Sequence, residues 1–314
     1  LTTVSSLILP KFAAMVKIEA WFKAFRLRTL PLSFSSVILG SMLAADMGSF
    51  SLKILIGALV TTLFLQVLSN LANDYGDSVS GVDNEKRTGP ARSVQSGEIS
   101  AAHMRLAIGL CALLALVAGI LLLYESSKKI GLNSTVAFFL LGVAAIVAAI
   151  KYTIGKNPYG YRGFGDLAVF IFFGIVGVSG TYYLHTSEIS GMTMLPAVSV
   201  GLLATAVLNI NNMRDIENDS ASGKRSLVVL IGLRRAKIYH TILISLALMG
   251  ALAFTLLRFR SVYEFLFLIS VPLLYQNVRI VWTTNQVSEL DGELKKLALA
   301  TLIFSITLGL GLIY

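Results

Sequence analysis

Two stretches of this chain place carboxylates where a lipid-soluble segment should simply end. The run "SNLANDYGDSVSGVDNEKRTGP" (69–90) follows the apolar "LKILIGALVTTLFLQVL", and "LNINNMRDIENDSASGKRSL" (208–227) closes another apolar run. In the first, Asn73 and Asp77 stand at i, i+4 with Asp74 one position round, and Asp83 follows Asp77 by six residues. In the second, Asn211, Asp215 and Asp219 fall at i, i+4, i+8, a single stripe of a helix. Carboxylates packed this closely raise one another's pKa unless a cation neutralises them. Hard oxygen donors without thiolate or imidazole suit Mg²⁺, which commonly binds a few carboxylates together with substrate phosphates. Basic residues lie close by: Arg92 in "TGPARSVQSG", Lys224 and Arg225 in "GKRSL". Guanidinium and ammonium groups both stabilise phosphate oxygens. Either acidic cluster alone reads as well as a polar helix end entering a turn. Two with the same Asn-x-x-x-Asp spacing, each followed by a Gly-containing basic loop, argue for a divided metal–diphosphate site.

The elements that must carry these residues are apolar. Of 314 residues 55% are hydrophobic and 14% charged, against about 25% charged in a soluble domain. The apolar residues come in long runs, which marks an all-α, multi-pass membrane protein. Nine spans are expected, at 30–48, 53–73, 105–124, 134–152, 166–186, 194–213, 238–257, 262–280 and 297–314. With the N-terminus inside, 21 of the 26 Lys and Arg fall on cytoplasmic segments. The excess of positive charge inside sets orientation, so the chain is read as N-in, C-out. That bias also accounts for the net charge of +9 without nucleic acid. Both acidic clusters then open the two long cytoplasmic loops.

Cys111 is the one cysteine, and His103, His185 and His240 are scattered, so neither a disulfide framework nor a Cys/His metal site is expected. The first residues lack a convincing signal peptide, and Met15 is a candidate start. Residues 1–29 are read as an extension plus a basic amphipathic surface helix, "MVKIEAWFKAFRLR". Residues 30–314 are read as one nine-helix domain. "DSVSG" (77–81) echoes "DSASG" (219–223), which either a duplication or chance explains.

"NDYGDSVSGVD" and "NNMRDIENDSASGKRSL" resemble the two aspartate-rich motifs of the UbiA superfamily of intramembrane prenyltransferases, and the resemblance extends over nearly the whole chain. Within it, "RLRTLPLSFSSVILG", "NPYGYRGFGDLAVFIFFG" and the long Asp77–Asp83 step are most similar to the branch whose acceptor is 1,4-dihydroxy-2-naphthoate. The usual superfamily motif ends Asp-x-x-x-Asp, so with the longer step Asp83 is expected to meet the metal either directly or through water. The resemblance implies that Asn73, Asp77, Asp83, Asn211, Asp215 and Asp219 hold Mg²⁺ against a polyprenyl diphosphate, with Asp77 and Asp215 central. Asp74 takes a direct or outer role.

The chemistry this implies fits the residues. Metal ions helped by Arg92 and Lys224 stabilise the departing diphosphate. The allylic cation is shielded from water by a bundle in lipid. It can be faced by Tyr152, Tyr159, Tyr161 and Phe164, which read as well as an interfacial aromatic belt. Ring attack with loss of carbon dioxide gives a demethylmenaquinone. Asp166 could orient the aromatic acid or serve as an N-cap; Arg28, Lys151 and Arg162 are weaker candidates for its carboxylate. The implied setting is the inner membrane of a bacterium, with membrane lipid around the tail. Rivals are a UbiA-type enzyme with another acceptor such as 4-hydroxybenzoate, a CDP-alcohol phosphotransferase and a cation transporter. The phosphotransferase's single "DG..AR" motif is absent, and transport predicts ionisable residues near the midplane of several spans. The expected spans carry their acidic residues at the ends, apart from Glu264 just inside the eighth.

Overall fold

The computed structural model describes residues 18–82 and 92–314. Asp83 lies outside the described residues. These form helices and short connections, with no strand among the described residues, as backbone in hydrocarbon requires. A short helix α1 (18–25) leads through a turn into α2 (Leu30–Asp46). Then come α3 (Leu52–Val79), α4 (Ala101–Lys151), α5 (Gly165–Thr186) and α6 (Gly191–Arg214). Two short helices, α7 (Ile216–Ala221) and α8 (Leu227–Ile231), precede α9 (Leu233–Arg258), α10 (Val262–Thr283) and α11 (Val287–Ile313).

Among the described residues, eight helices are therefore long and apolar enough to cross a membrane, where nine spans were expected. The difference lies in α4. Its 51 residues would reach about 75 Å if straight, more than twice the ~30 Å of a hydrocarbon core. It bends instead at Gly131, whose φ of 73° and ψ of 169° are not helical. The polar stretch 125–130 before it, "ESSKKI", contains no proline and stays helical up to that glycine. The third and fourth expected spans are thus the two arms of one broken helix.

Helix α1 turns Ala20 and Ala24 inward, at i, i+4, into a core shared with Leu68 and Leu71 of α3 and Met104 and Ile108 of α4. Ile18 and Phe22 face outward. The turn into α2 passes through Arg26 at φ 47° and is held from α3, where the Asn70 amide donates to Phe25 O (2.9 Å) and to Thr29 Oγ1 (3.2 Å). The largest core joins α2, α5, α6, α9, α10 and α11. Within α5, residues Phe170–Gly180 are wound as a π-helix. The three histidines take packing partners: His185 bridges Ser51 N (3.1 Å) and Ser41 (3.0 Å), His240 pairs with Asn277 (2.9 Å), and His103 with Ser100 (2.7 Å).

Candidate active site

The last turns of α3 send Asp74 and Asp77 in different directions. Asp74 is buried, and its two oxygens accept the backbone N–H groups of Ser93 and Val94, each at 3.1 Å. Its carboxylate therefore fixes the start of the following loop. That anchoring delivers the neighbouring Arg92 to Asp77: Nη2 donates to Oδ2 at 3.1 Å, with both side chains buried. The other oxygen of Asp77 accepts from the Tyr161 hydroxyl at 2.6 Å, and Ser80 touches the same hydroxyl at 2.9 Å. Asn73 Oδ1 faces Thr153 Oγ1 at 3.3 Å. Gly76 explains itself here. A Cβ at that position would lie 2.6 Å from Thr153 Oγ1 and 2.8 Å from its carbonyl oxygen, so only glycine lets the segment after α4 close onto the motif.

The second motif is built around Arg214, the last residue of α6, which is 2% exposed. Its Nε and Nη2 grip both oxygens of Asp215 (2.8 and 2.7 Å), and Nη2 also reaches Asn211 Oδ1 at 3.0 Å. Its Nη1 donates to Asp291 at 2.6 Å. On α7, Asp219 pairs with Lys224 at 3.3 Å, and its Oδ2 is buried without a hydrogen-bond partner. Burial pushes the Asp219 carboxyl up to about 6, with the Lys224 charge pulling the other way. Burial disfavours the Lys224 ammonium, but Asp77, Asp219 and Asp215 outweigh it and hold that group above the usual lysine range. Lys224 also sits 5.6 Å over the Tyr161 ring.

The motifs are stitched together by Asn218, which donates to Val82 O at 2.8 Å, and by the Arg225 N–H to Tyr161 O at 3.0 Å. The sequence echo is also a structural one. Ser80 and Ser222 turn their hydroxyls back onto the carbonyls of Gly76 (2.7 Å) and Asn218 (2.8 Å). Gly81 and Gly223 follow in the left-handed region, at φ 74° and 76°.

A cavity of about 440 Å³ joins this polar end to an apolar interior. Asn73, Asp77, Arg92, Asn211 and Lys224 line one part of it, with Arg26 and Arg28 beside them. Leu116, Leu122, Phe138, Phe172, Phe173 and Leu184 line the rest. The π-wound stretch supplies Phe172, Phe173, Val176 and Gly177 to this wall. Tyr152 and Tyr159 line the cavity as a T-shaped pair with centroids 5.3 Å apart. Other candidates sit elsewhere. Lys151 and Arg162 are exposed and outside the lining, and Phe164 is exposed. Asp166 is buried in the first turn of α5, is not its N-cap, and meets the Tyr239 side chain of α9.

The donor set suits a hard cation that arrives with its substrate. Among the described residues no three His, Cys, Asp or Glu side chains form a closed cage. Asp77, Asp215 and Asp219 each face a cationic side chain instead, and Asp219 keeps one buried oxygen unpartnered. Mg²⁺ characteristically takes one or two carboxylates and completes its shell with phosphate and water, which such a set can provide.

Residues 33–291 match the UbiA prenyltransferase family. The chain belongs to that family. It is 43% identical over 299 residues to the 1,4-dihydroxy-2-naphthoate octaprenyltransferase of Haemophilus influenzae, covering 95% of this chain and 96% of that one. The enzyme of the same name from Mycobacterium leprae is 32% identical, covering 94% and 96%. Among solved structures, a UbiA homolog from Aeropyrum pernix superposes with a TM-score of 0.66 at 17% identity, covering 92% and 98%. A UbiA homolog from Archaeoglobus fulgidus bound to DMAPP and Mg²⁺ gives 0.56 at 18%, covering 91% and 98%. The UbiA fold is thus shared at low identity. Two residues that contact the motifs escape a reading of the motifs alone. Arg214 passes for a topology residue, and Tyr161 reads as a cation-facing ring although its hydroxyl binds Asp77.

Proposed function

We propose that this chain transfers a polyprenyl group from polyprenyl diphosphate to 1,4-dihydroxy-2-naphthoate, with loss of the ring carboxylate as carbon dioxide, giving a demethylmenaquinone in its reduced, quinol form. The observation that carries this reading is the continuity of one cavity from Asn73 and Asp77 of the first motif and Asn211 of the second, with Arg92 and Lys224, into an apolar interior; Asp215 and Asp219 stand behind that lining. Such a space matches an anionic head joined to an isoprenoid tail. The identity of the acceptor rests on the relatives' printed activity, at 43% identity over nearly the full chain.

In this reading Arg92 and Lys224 bind the diphosphate and stabilise its departure. Asn73, Asp77, Asn211, Asp215 and Asp219 would hold Mg²⁺, which when bound neutralises the diphosphate and eases its loss. Asp83 is assigned with them by sequence. Tyr152 and Tyr159 line the same cavity and would be the rings available to stabilise positive charge at the allylic carbon. The apolar walls exclude water from that carbon. The naphthoate ring attacks the allylic cation left when the C–O bond to diphosphate breaks, and loss of its carboxylate as carbon dioxide restores the ring without a strong base. Arg28, which lines the cavity, is the candidate for the acceptor's carboxylate. The chain crosses the bacterial inner membrane nine times, counting the arms of α4 separately, with the motifs on the cytoplasmic side.

The test supplies purified protein with Mg²⁺, a polyprenyl diphosphate and either 1,4-dihydroxy-2-naphthoate or 4-hydroxybenzoate. Prenylated product is expected with naphthoate only; product with 4-hydroxybenzoate alone would overturn the acceptor assignment.

A further inference from the structure

Arg214 and Asp291 form a buried relay that reaches the second motif from a helix distant in sequence. Arg214 is 2% exposed, so its charge needs compensation inside the protein. Asp215 supplies part, through both oxygens. Asp291, 77 residues away at the start of α11, supplies more through Oδ1 at 2.6 Å. The other oxygen of Asp291 accepts from Arg28 at 3.3 Å, beside the cavity. Arg214 Nη2 is shared between Asp215 and Asn211 Oδ1. One planar guanidinium thus fixes two oxygen-bearing side chains one helical turn apart, and a carboxylate of α11 fixes the guanidinium.

We propose that Asp291 is a positioning residue for the second motif: by anchoring Arg214 it orients Asn211 and Asp215 and draws the guanidinium charge away from Asp215, so that Asp215 stays available to a divalent cation. The proposal rests on the reading of the motifs as a metal–diphosphate site. Two effects act with one sign. Without the Asp291 carboxylate, Arg214 loses its Nη1 anchor, and the orientation of Asn211 and Asp215 loosens. More of the guanidinium charge also falls on Asp215 and opposes an incoming cation. Asp291 itself sits one residue beyond the guanidinium and touches neither Asp215 nor Asn211. Its effect on the metal is therefore indirect, as is usual for groups that orient ligands, whose loss costs about 10- to 100-fold in metal affinity.

The experiment titrates Mn²⁺, as a spectroscopic stand-in for Mg²⁺, into full-length detergent-solubilised protein with a non-hydrolysable polyprenyl diphosphate analogue, and reads free Mn²⁺ by electron paramagnetic resonance. Asp291→Asn preserves shape and removes the charge; Asp291→Glu restores it. The expected result is Mn²⁺ half-saturation about tenfold higher for Asp291→Asn and within about twofold of wild type for Asp291→Glu. A thermal melt without metal accompanies each variant. Unchanged or tighter Mn²⁺ binding in a folded Asp291→Asn protein overturns the proposal, as does equal weakening in the Glu variant. Asp77→Ala separates the two levels. If that variant binds Mn²⁺ like wild type, the metal-site reading itself has failed, whatever Asp291 does.

Discussion

Replacing Tyr161 by Phe removes one oxygen and leaves the rest of the site in place. The hydroxyl donates to Asp77 Oδ1 at 2.6 Å, while the ring lies 5.6 Å from Lys224. Phenylalanine keeps the ring under the ammonium, so the variant tests the hydroxyl's contacts, with Asp77 and with Ser80, and not the ring. A hydrogen bond to a charged acceptor contributes about 1.5–3 kcal/mol, and about 1.4 kcal/mol is tenfold in rate. If Asp77 must be held in one rotamer to receive the metal and diphosphate, kcat/KM should fall by about 10- to 150-fold. Arg92 still holds the other oxygen at 3.1 Å, so the loss should stay below that of removing Asp77. The assay is steady-state prenyl transfer at several Mg²⁺ concentrations, with a melt as control for folding. Because Ser80, which also touches the hydroxyl, is exposed, the melting temperature should move little. Wild-type kcat/KM in a folded Tyr161→Phe protein would refute the orienting role.

Asp77→Ala and Asp215→Ala should each cost at least about 100-fold in kcat, measured as product formed at saturating substrates; full activity in either would remove that residue from the site. Gly76→Ala should lower stability by about 1–3 kcal/mol and reduce activity, because its Cβ would press on Thr153 at 2.6 Å. Gly109→Ala in α4, where nothing lies within 4 Å, should be neutral or stabilising in the same melt. The Asp219 carboxyl, raised to about 6 by burial, keeps its proton to higher pH than an exposed aspartate. A cation must displace that proton. Half-saturating Mg²⁺ should therefore be flat above about pH 7 and climb toward tenfold per unit well below pH 6, and Asp219→Asn should abolish the climb.

Much of the fold is legible because lipid demands it. Long apolar runs mark the helices, and charged residues mark their ends. The break in α4 falls within the segment separating the expected third and fourth spans, but "ESSKKI" favours helix strongly enough that a single glycine makes the turn. The acidic motifs are legible through their i, i+4 spacing, which brings Asn73 and Asp77, or Asn211 and Asp215, to one side of a helix. What spacing cannot convey is which cation meets each carboxylate. Asp74 and Asp77 look alike in the sequence, yet one ties down the loop at Ser93 and Val94 and the other lines the cavity. Arg214 is one of many basic residues near the motifs until packing buries it against Asp291, a partner on the last helix. Tyr161 stands in an aromatic-rich stretch whose composition suggests ring faces, and only the folding of that stretch over α3 brings its hydroxyl to Asp77. In each case the missing information is a long-range pairing, fixed by how the helices pack and not by any local period.

The most direct test follows the carboxylate of the acceptor. Purified protein is given carboxyl-labelled 1,4-dihydroxy-2-naphthoate, a polyprenyl diphosphate and Mg²⁺, and labelled carbon dioxide is counted against diphosphate released. The expected result is one carbon dioxide for each diphosphate, with both lost together in Asp77→Ala. Diphosphate released without labelled carbon dioxide, or equal release of both from Asp77→Ala, would contradict the account.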